Sequence, residues 1–225
     1  MWSICEKEKK AVENKQYKGI IFDLDGVICH TDRYHYEAWK MLADRLEIPF
    51  DEKINNRLRG VSRNESLDIV LEKSSKVYTR EEKLAMAEEK NDCYRKLLAQ
   101  MTPADLSPSV KEMLDALKQS KKLAIGSSSK NTKFILERIG LDDYFDVIAD
   151  GNDITHSKPD PEVFLLAAER LGLSPEECLV VEDAKAGIDA AFAGGFDSAA
   201  VGDAAGYGKA TYSLNDVAQL KEFGF

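Results

Sequence analysis

The chain contains few cysteines, prolines and glycines. Its 225 residues include 4 Cys, 6 Pro and 14 Gly, while 44% are hydrophobic and 32% are charged. This composition excludes a collagen-like or low-complexity chain and argues against intrinsic disorder. The cysteines form no C-x-x-C pair, which disfavours a zinc site or a disulfide framework. They are Cys5, Cys29, Cys93 and Cys178.

Long apolar segments are also missing from the sequence. No run approaches the roughly 20 apolar residues that a membrane-spanning helix needs. Residues 1–16 alternate Lys and Glu, lack the apolar stretch of a signal peptide, and are too acidic for a transit peptide. We therefore interpret residues 1–16 as an N-terminal extension and predict a cytoplasmic protein with reduced thiols.

The charge of the chain is biased toward acid. Lys and Arg number 31 and Asp and Glu number 40, so the formal net charge is −9 and the pI is near 5.0. Residues 1–103 carry equal numbers of basic and acidic side chains, so the excess lies in residues 104–225. We expect neither nucleic acid nor a membrane as a partner, although a local basic pocket stays compatible with this charge.

Short apolar segments alternate with helical patterns along much of the chain. Ser107 and Pro108 are typical of a helix start, and residues 160–172 predict another helix that ends near a glycine. This alternation predicts an α/β fold, in which a parallel sheet is covered by helices on both faces. Strands are predicted within residues 17–28, which break at Gly26, and at residues 122–126, 145–149, 178–181 and 198–201.

Residues 32–103 interrupt this alternation. They show helical periodicity without a comparable strand pattern. The length of the chain allows a core with a smaller inserted domain. We therefore predict a core domain of residues 17–31 and 104–225 and a helical cap domain of residues 32–103.

Two aspartates mark the end of the first predicted strand. Asp23 and Asp25 lie before Gly26, at the edge of a parallel sheet where ligands bind. An EF-hand loop beginning at Asp23 would need Gly and Glu at its sixth and twelfth positions, which are Ile28 and Tyr34 here, so a calcium loop is excluded. An ordinary strand-to-turn junction is the alternative explanation for this pair.

Polar groups follow three later strands as well. Residues 127–131 (SSSKN) precede a helix and could bind an anion, or could simply cap the helix. Lys158 lies in a proline-rich loop that could equally serve as a cap, and Glu182 and Asp183 follow residues 178–181, where a solvated turn is the alternative. Because carboxyl ends of parallel strands share one edge, all four features are expected to converge there.

The four features in this order resemble the motifs of the haloacid dehalogenase (HAD) superfamily. The resemblance implies a Rossmann-like HAD core with an inserted helical cap, and a phosphoryl-transfer enzyme in which Asp23 is the nucleophile and Asp25 the general acid/base. It implies that Ser127 and Lys158 stabilise the transferring phosphoryl group. It also implies a Mg²⁺ site formed by Asp23, the Asp25 main-chain carbonyl, Glu182 and Asp183.

A finer pattern resembles the β-phosphoglucomutase family from about residue 17 to residue 201. It includes DLDGVI at residues 23–28, YHxxAW at 34–39, GVSR at 60–63, KND at 90–92 and EDAxAGI at 182–188. Arg59 stands where that family usually has Lys, and His30 where it usually has an acidic residue. The substrate-binding residues that the resemblance implies are Thr31, His35, Trp39, Arg59, Gly60, Val61, Ser62, Arg63, Lys90, Ser128, Ser129, Lys130 and Asn131.

The family resemblance implies an isomerase that converts β-D-glucose 1-phosphate to glucose 6-phosphate through β-glucose 1,6-bisphosphate. A Mg²⁺-dependent sugar-phosphate phosphatase with the same Asp23 chemistry is the alternative, and a non-enzymatic phospho-accepting receiver is a third. The expected partner is a small phosphorylated sugar, with the protein a monomer. Connections near residues 30–34 and 99–104 are expected to act as hinges for cap closure.

Overall fold

A computed structural model describes residues 15–58 and 61–221, so most of the predicted N-terminal extension lies outside the described residues. They form a six-stranded sheet in the order β3-β2-β1-β4-β5-β6, and every neighbouring pair is parallel. The strands are β1 (Gly19–Phe22), β2 (Lys122–Gly126), β3 (Val147–Ala149), β4 (Cys178–Glu182), β5 (Asp197–Ala200) and β6 (Tyr212–Ser213).

The predicted α/β architecture is confirmed, with small differences at the strand ends. β2 spans the predicted residues, whereas β5 begins one residue earlier than predicted and β3 is shorter. β6 was not predicted, because its two residues form a strand only by pairing with Ala199 and Ala200. A segment this short carries no periodic pattern of its own.

Helices connect and cover the strands. The helix Pro108–Leu117 has Ser107 as its N-cap, as predicted. The helix Glu162–Leu171 is followed by Gly172, its C-cap, which adopts a left-handed φ of 69°. The α-helices of the described residues are α1 (Asp32–Arg45), α2 (Glu52–Asn56), α3 (Arg63–Leu71), α4 (Arg80–Leu98), α5 (Pro108–Leu117), α6 (Thr132–Arg138), α7 (Glu162–Leu171) and α8 (Lys185–Ala193).

The sheet separates two hydrophobic clusters. In the interior strand β1, Ile20 and Phe22 belong to one cluster and Ile21 to the other, because successive side chains point to opposite faces. All four residues of β1 and all five of β4 are buried, as expected for strands that are covered on both faces. The sheet therefore supplies a rigid base, and its carboxyl edge is fixed by packing on both sides.

Residues 32–103, which we refer to as the cap, have a hydrophobic cluster of their own. Trp39, Leu42, Leu67, Val70 and Met86 are among its members, and all come from the segment between β1 and β2. The described residues of the cap form helices α1 to α4 and no strand. Capping boxes at Ser62 and Thr79 define the starts of α3 and α4. A separate cluster supports the proposed division into core and cap.

Across residues 15–58 and 61–221, none of the helices combines the length and the apolar character that crossing a membrane would require.

The separate cap cluster predicts that the cap can be destabilised selectively. Leu67 is 1% exposed within this cluster, so Leu67→Ala should cost about 2–5 kcal/mol of local stability. Amide hydrogen exchange should accelerate in α1, α3 and α4 more than in the central strands. Leu84→Ala removes a leucine that is 51% exposed in the same cap and should leave exchange unchanged. Equal acceleration in β1 and β4 would contradict a separate cap cluster.

Candidate active site

The predicted functional residues gather at the carboxyl edge of the sheet. Asp23 follows β1, Ser127 follows β2, and Glu182 is the last residue of β4. Because β2 and β4 flank β1, these residues are neighbours in space. With Lys158, they line a cavity of about 840 Å³ between this edge and the cap.

Lys158 lies between two carboxylates at the base of the cavity. Its Nζ donates to Asp23 Oδ1 at 2.5 Å and to Glu182 Oε1 at 2.6 Å. The side chains of Lys158 and Glu182 are each 1% exposed, so these charges are removed from water and neutralise one another. The other oxygen of Glu182 accepts the Ala184 backbone N–H at 2.7 Å. Both oxygens of Glu182 are therefore engaged in holding Lys158 and the following turn.

Burial and neighbouring charges govern the protonation of Asp23 and Lys158. Burial raises the pKa of Asp23 well above its usual value; Lys158 opposes this shift, and the neighbouring carboxylates Glu182 and Asp183 add to it. Burial alone would lower the pKa of Lys158, but the charges of Asp23 and Glu182 outweigh it and raise this pKa. A carboxylate cluster with a single internal cation favours a further cation beside Asp23.

Asp25 has a different environment from Asp23. Its Oδ1 accepts a hydrogen bond from the hydroxyl of Thr31, a residue that is fully buried. Burial raises the pKa of Asp25 to about 6, with Asp32 adding to the shift and the Thr31 hydrogen bond and Lys158 opposing it. A pKa near neutrality suits a group that both donates and accepts a proton. Thr31 thus contacts Asp25, and it is not among the residues lining the cavity.

Asp183 lies against the turn that carries the two aspartates. Gly26 adopts a φ of 87°, and a Cβ at this position would lie 2.2 Å from Asp183 Oδ2. The missing side chain allows the Asp183 carboxylate to approach the Asp23–Gly26 turn closely. Carboxylate and main-chain oxygens at this point form a donor set of the kind that Mg²⁺ prefers. The residues present therefore fit the predicted metal ion.

The loop after β2 presents hydroxyl groups to the cavity. Ser127 Oγ accepts the Ser129 backbone N–H, and Ser129 Oγ accepts the Asn131 N–H, each at 3.2 Å. These bonds form tight turns and leave the hydroxyl hydrogens of both serines available to a ligand. Ser128 and Lys130 also line the cavity. This loop can therefore surround an anion, as its composition predicts.

The cap contributes a basic wall to the same cavity. Lys90 is 3% exposed, its Nζ lies 3.0 Å from His35 Nδ1, and it stands over the rings of Trp39 and Tyr94 at 4.8 and 4.4 Å. Burial, together with the charge of Arg63, lowers the pKa of Lys90 to about 7. Burial, with Lys90 and Arg63 adding to it, likewise holds the pKa of His35 well below its usual value. An anionic ligand would compensate this concentration of positive charge.

Arg63 is the first residue of α3 and lines the cavity from the cap side. Its guanidinium NH1 lies 3.3 Å from Glu88 Oε2 of α4. Val61 and Ser62 also line the cavity, and the Ser62 hydroxyl caps α3. The predicted substrate residues Arg59 and Gly60 lie outside the described residues.

The cavity also contains residues that the sequence analysis did not include. Asn91 and Tyr94 of α4 and Asn55 of α2 line it from the cap. Asn91 belongs to the KND segment and could have been chosen with Lys90. Asn55 and Tyr94 lie in ordinary helical patterns, and only the packing of the cap directs them toward the cavity.

Comparison with known proteins agrees with this fold. Residues 17–195 match the haloacid dehalogenase-like hydrolase family, and the chain belongs to that family. It is therefore an enzyme of the HAD superfamily, with the Rossmann-like fold of that group.

Individual relatives include both mutases and phosphatases. The chain is 43% identical to the beta-phosphoglucomutase of Bacillus subtilis (strain 168) over 188 residues, which cover 82% of this chain and 83% of the relative. It is 34% identical to a phosphorylated carbohydrates phosphatase of Thermotoga maritima, with 92% and 91% covered. The crystal structure of beta-phosphoglucomutase from Clostridium difficile has a TM-score of 0.85 at 41% identity and covers 91% of this chain and 93% of its own.

Removal of the buried ammonium should destabilise the protein in a pH-dependent way. Lys158→Met leaves Asp23 and Glu182 buried without their cation. The free energy of unfolding, measured by urea titration in EDTA, should therefore fall by about 3–5 kcal/mol at about pH 7. Loss of the cation raises the folded-state pKa of Asp23 further above its unfolded value. The folded variant then binds more protons than its unfolded state. The loss in free energy of unfolding relative to the wild type should therefore become smaller as the pH is lowered to about 5.

A matched control uses Lys185, an exposed lysine at the start of α8. Lys185→Met removes the same charge without exposing or burying a carboxylate, and it should change the free energy of unfolding by less than about 0.5 kcal/mol at both pH values. A Lys158→Met deficit that is equal at the two pH values would contradict the role assigned to the buried carboxylates.

Proposed function

We propose that this enzyme is a β-phosphoglucomutase that interconverts β-D-glucose 1-phosphate and glucose 6-phosphate through β-glucose 1,6-bisphosphate. The observation that carries the proposal is one cavity that joins the Asp23–Asp25 pair of the core to Arg63 and Lys90 of the cap. A bisphosphate needs two anion sites, and this cavity is lined by Ser127 and Lys158 on the core side and by Arg63 and Lys90 on the cap side, which supports one site on each side. The similarity to two beta-phosphoglucomutases above 40% identity supports the same conclusion.

The chemistry begins at Asp23. Its carboxylate oxygen attacks phosphorus of the bisphosphate, an aspartyl phosphate forms, and the bond from phosphorus to the sugar oxygen breaks. Asp25 protonates the departing oxygen and, in the return half-reaction, removes the proton of the hydroxyl that attacks the aspartyl phosphate. A pKa of Asp25 near 6 permits both roles close to neutral pH. Thr31 orients Asp25 through its hydrogen bond.

Ser127 and Lys158 act on the phosphoryl group during its transfer. The Ser127 hydroxyl donates to a phosphoryl oxygen, and Lys158 supplies a fixed positive charge in a site that is shielded from water. Glu182 keeps Lys158 in place, and we assign this function to it ahead of metal ligation.

Mg²⁺ is the proposed metal ion. Asp23, Asp183 and the Asp25 main-chain carbonyl would hold it, with Glu182 adjacent. When bound, it neutralises the charge between the carboxylates and the phosphoryl group and orients that group.

The cap and the serine loop recognise the rest of the substrate. Arg63 binds the distal phosphate, since its planar guanidinium matches two phosphate oxygens at once. Ser129, Lys130 and Asn131 face the same phosphate from the core. Lys90 and Trp39 contact the sugar, with His35 holding Lys90 in position. Ser128, Val61, Ser62 and the Arg59–Gly60 dipeptide complete the proposed binding residues.

A sugar-phosphate phosphatase is the second candidate. The same Asp23 intermediate would then react with water in place of a sugar hydroxyl. The 34% identity to a phosphorylated carbohydrates phosphatase over 92% of the chain supports this alternative. The two candidates differ in the acceptor and share the phosphorylation step.

A single assay separates the two candidates. The enzyme receives β-glucose 1-phosphate, Mg²⁺ and a trace of glucose 1,6-bisphosphate, and both glucose 6-phosphate and free phosphate are followed. A mutase should form glucose 6-phosphate with little free phosphate, whereas release of phosphate without isomerisation would identify the phosphatase.

Asp23→Asn should abolish phosphoenzyme formation, since a carboxamide is not nucleophilic, and EDTA should stop turnover in a way that added Mg²⁺ reverses.

Substitution of Arg63 tests the distal-phosphate site. Arg63→Ala should lower kcat/KM for β-glucose 1-phosphate by about 100-fold, because charge-assisted bonds to the distal phosphate are lost. Phosphorylation of Asp23 by acetyl phosphate, which has no distal phosphate, should change little. Arg80→Ala removes an exposed cap arginine and serves as the control. Normal mutase kinetics in Arg63→Ala would overturn the assignment.

A further inference from the structure

Arg95 of the cap contacts the core at the start of α6. Its NH1 donates to the side-chain oxygen of Asn131 at 3.3 Å, and its guanidinium lies over the ring of Phe134 at 4.6 Å. Asn131 is the N-cap residue of α6, and Phe134 lies within that helix. One cap side chain thus makes a charged hydrogen bond and a cation–π contact with the same core helix.

The other end of the Asn131 carboxamide is bonded to the cap as well. Its Nδ2 donates to Asn91 Oδ1 at 3.0 Å, and the two asparagines are 6% and 8% exposed. Buried amides of this kind are costly to leave without partners. Separation of cap and core would therefore break bonds at both ends of the same carboxamide.

These contacts come from one face of α4 that also reaches Arg63. Glu88, Asn91 and Arg95 are spaced by three and four residues, so they share a face of the helix. Asn91 Nδ2 lies 3.4 Å from Glu88 Oε1, and Arg63 donates to the other oxygen of Glu88. The proposed distal-phosphate residue is thereby connected through α4 to the contact between cap and core.

We propose that Arg95 is a positioning residue that holds the cap on the core through Asn131 and so limits the access of water to phosphorylated Asp23. The second half of this proposal rests on the proposed function. Water that reaches the aspartyl phosphate attacks phosphorus, the bond to the Asp23 oxygen breaks, and inorganic phosphate and the free carboxylate result. A closed cap favours transfer to the sugar hydroxyl over this loss.

The test compares Arg95→Met with Lys96→Met. Methionine retains much of the length of the arginine stem over Phe134 but has no N–H donor and no charge. Lys96 is the next residue, is exposed, and its substitution removes the same charge, so it is the matched control. Arg95→Lys should restore part of the effect, because lysine keeps a charged donor but lacks the planar group.

Two measurements are made on each variant. Amide hydrogen exchange without any sugar phosphate should be about 3- to 10-fold faster at the start of α6 in Arg95→Met than in Lys96→Met, as expected for loss of a charged hydrogen bond. Release of inorganic phosphate from acetyl phosphate with Mg²⁺ should rise by a similar factor, while the rate of Asp23 phosphorylation stays unchanged.

Each result decides the proposal. Equal exchange in the two variants would overturn the attachment of cap to core, whichever reaction the enzyme catalyses. Faster exchange with unchanged phosphate release would overturn the exclusion of water. If both effects occur and the wild-type enzyme fails to isomerise β-glucose 1-phosphate, the role of Arg95 stands and the proposed mutase function fails.

Discussion

The candidate site depends on one buried ammonium group between two carboxylates. Lys158 reaches Asp23 and Glu182 at the ends of two adjacent parallel strands, where none of the three charges is stable alone. This arrangement keeps the proposed nucleophile at the base of the cavity and partly offsets its repulsion by neighbouring carboxylates. Gly187 leaves room for the Glu182 carboxylate, since a Cβ at that position would lie 1.9 Å from Glu182 Oε1.

A net charge of −9 is compatible with the proposed doubly anionic ligand because the charges of the chain are segregated. The acidic excess belongs to residues 104–225, while the cap is balanced and directs Arg63 and Lys90 into the cavity. Local field in a partly enclosed site outweighs the average charge of the molecule. The contact between α4 and Asn131 then brings this basic wall over the acidic base of the cavity.

Sequence patterns predicted the strands that carry the site, because buried parallel strands are continuous apolar runs followed by polar residues. They could not predict β6, which exists only through its pairing with β5, or the interaction of Thr31 with Asp25 across a turn. Adjacency in the sequence pairs Glu182 with Asp183, yet the Glu182 carboxylate bonds to Lys158 and the Ala184 N–H, while that of Asp183 lies against Gly26. Arg95 is an exposed helical arginine, and only the tertiary structure places its guanidinium against Asn131 and Phe134.

The sequence by itself determined the alternating architecture, the helical nature of residues 32–103 and the residues at four strand ends, since these follow from local periodicity and from the order of motifs. Only the tertiary structure decided which groups meet: Lys158 with Glu182, Lys90 with His35, and Asn131 with Asn91 and Arg95. The physical reason is that burial and pairing of charges depend on contacts between residues far apart in the chain. Local sequence does not specify those contacts.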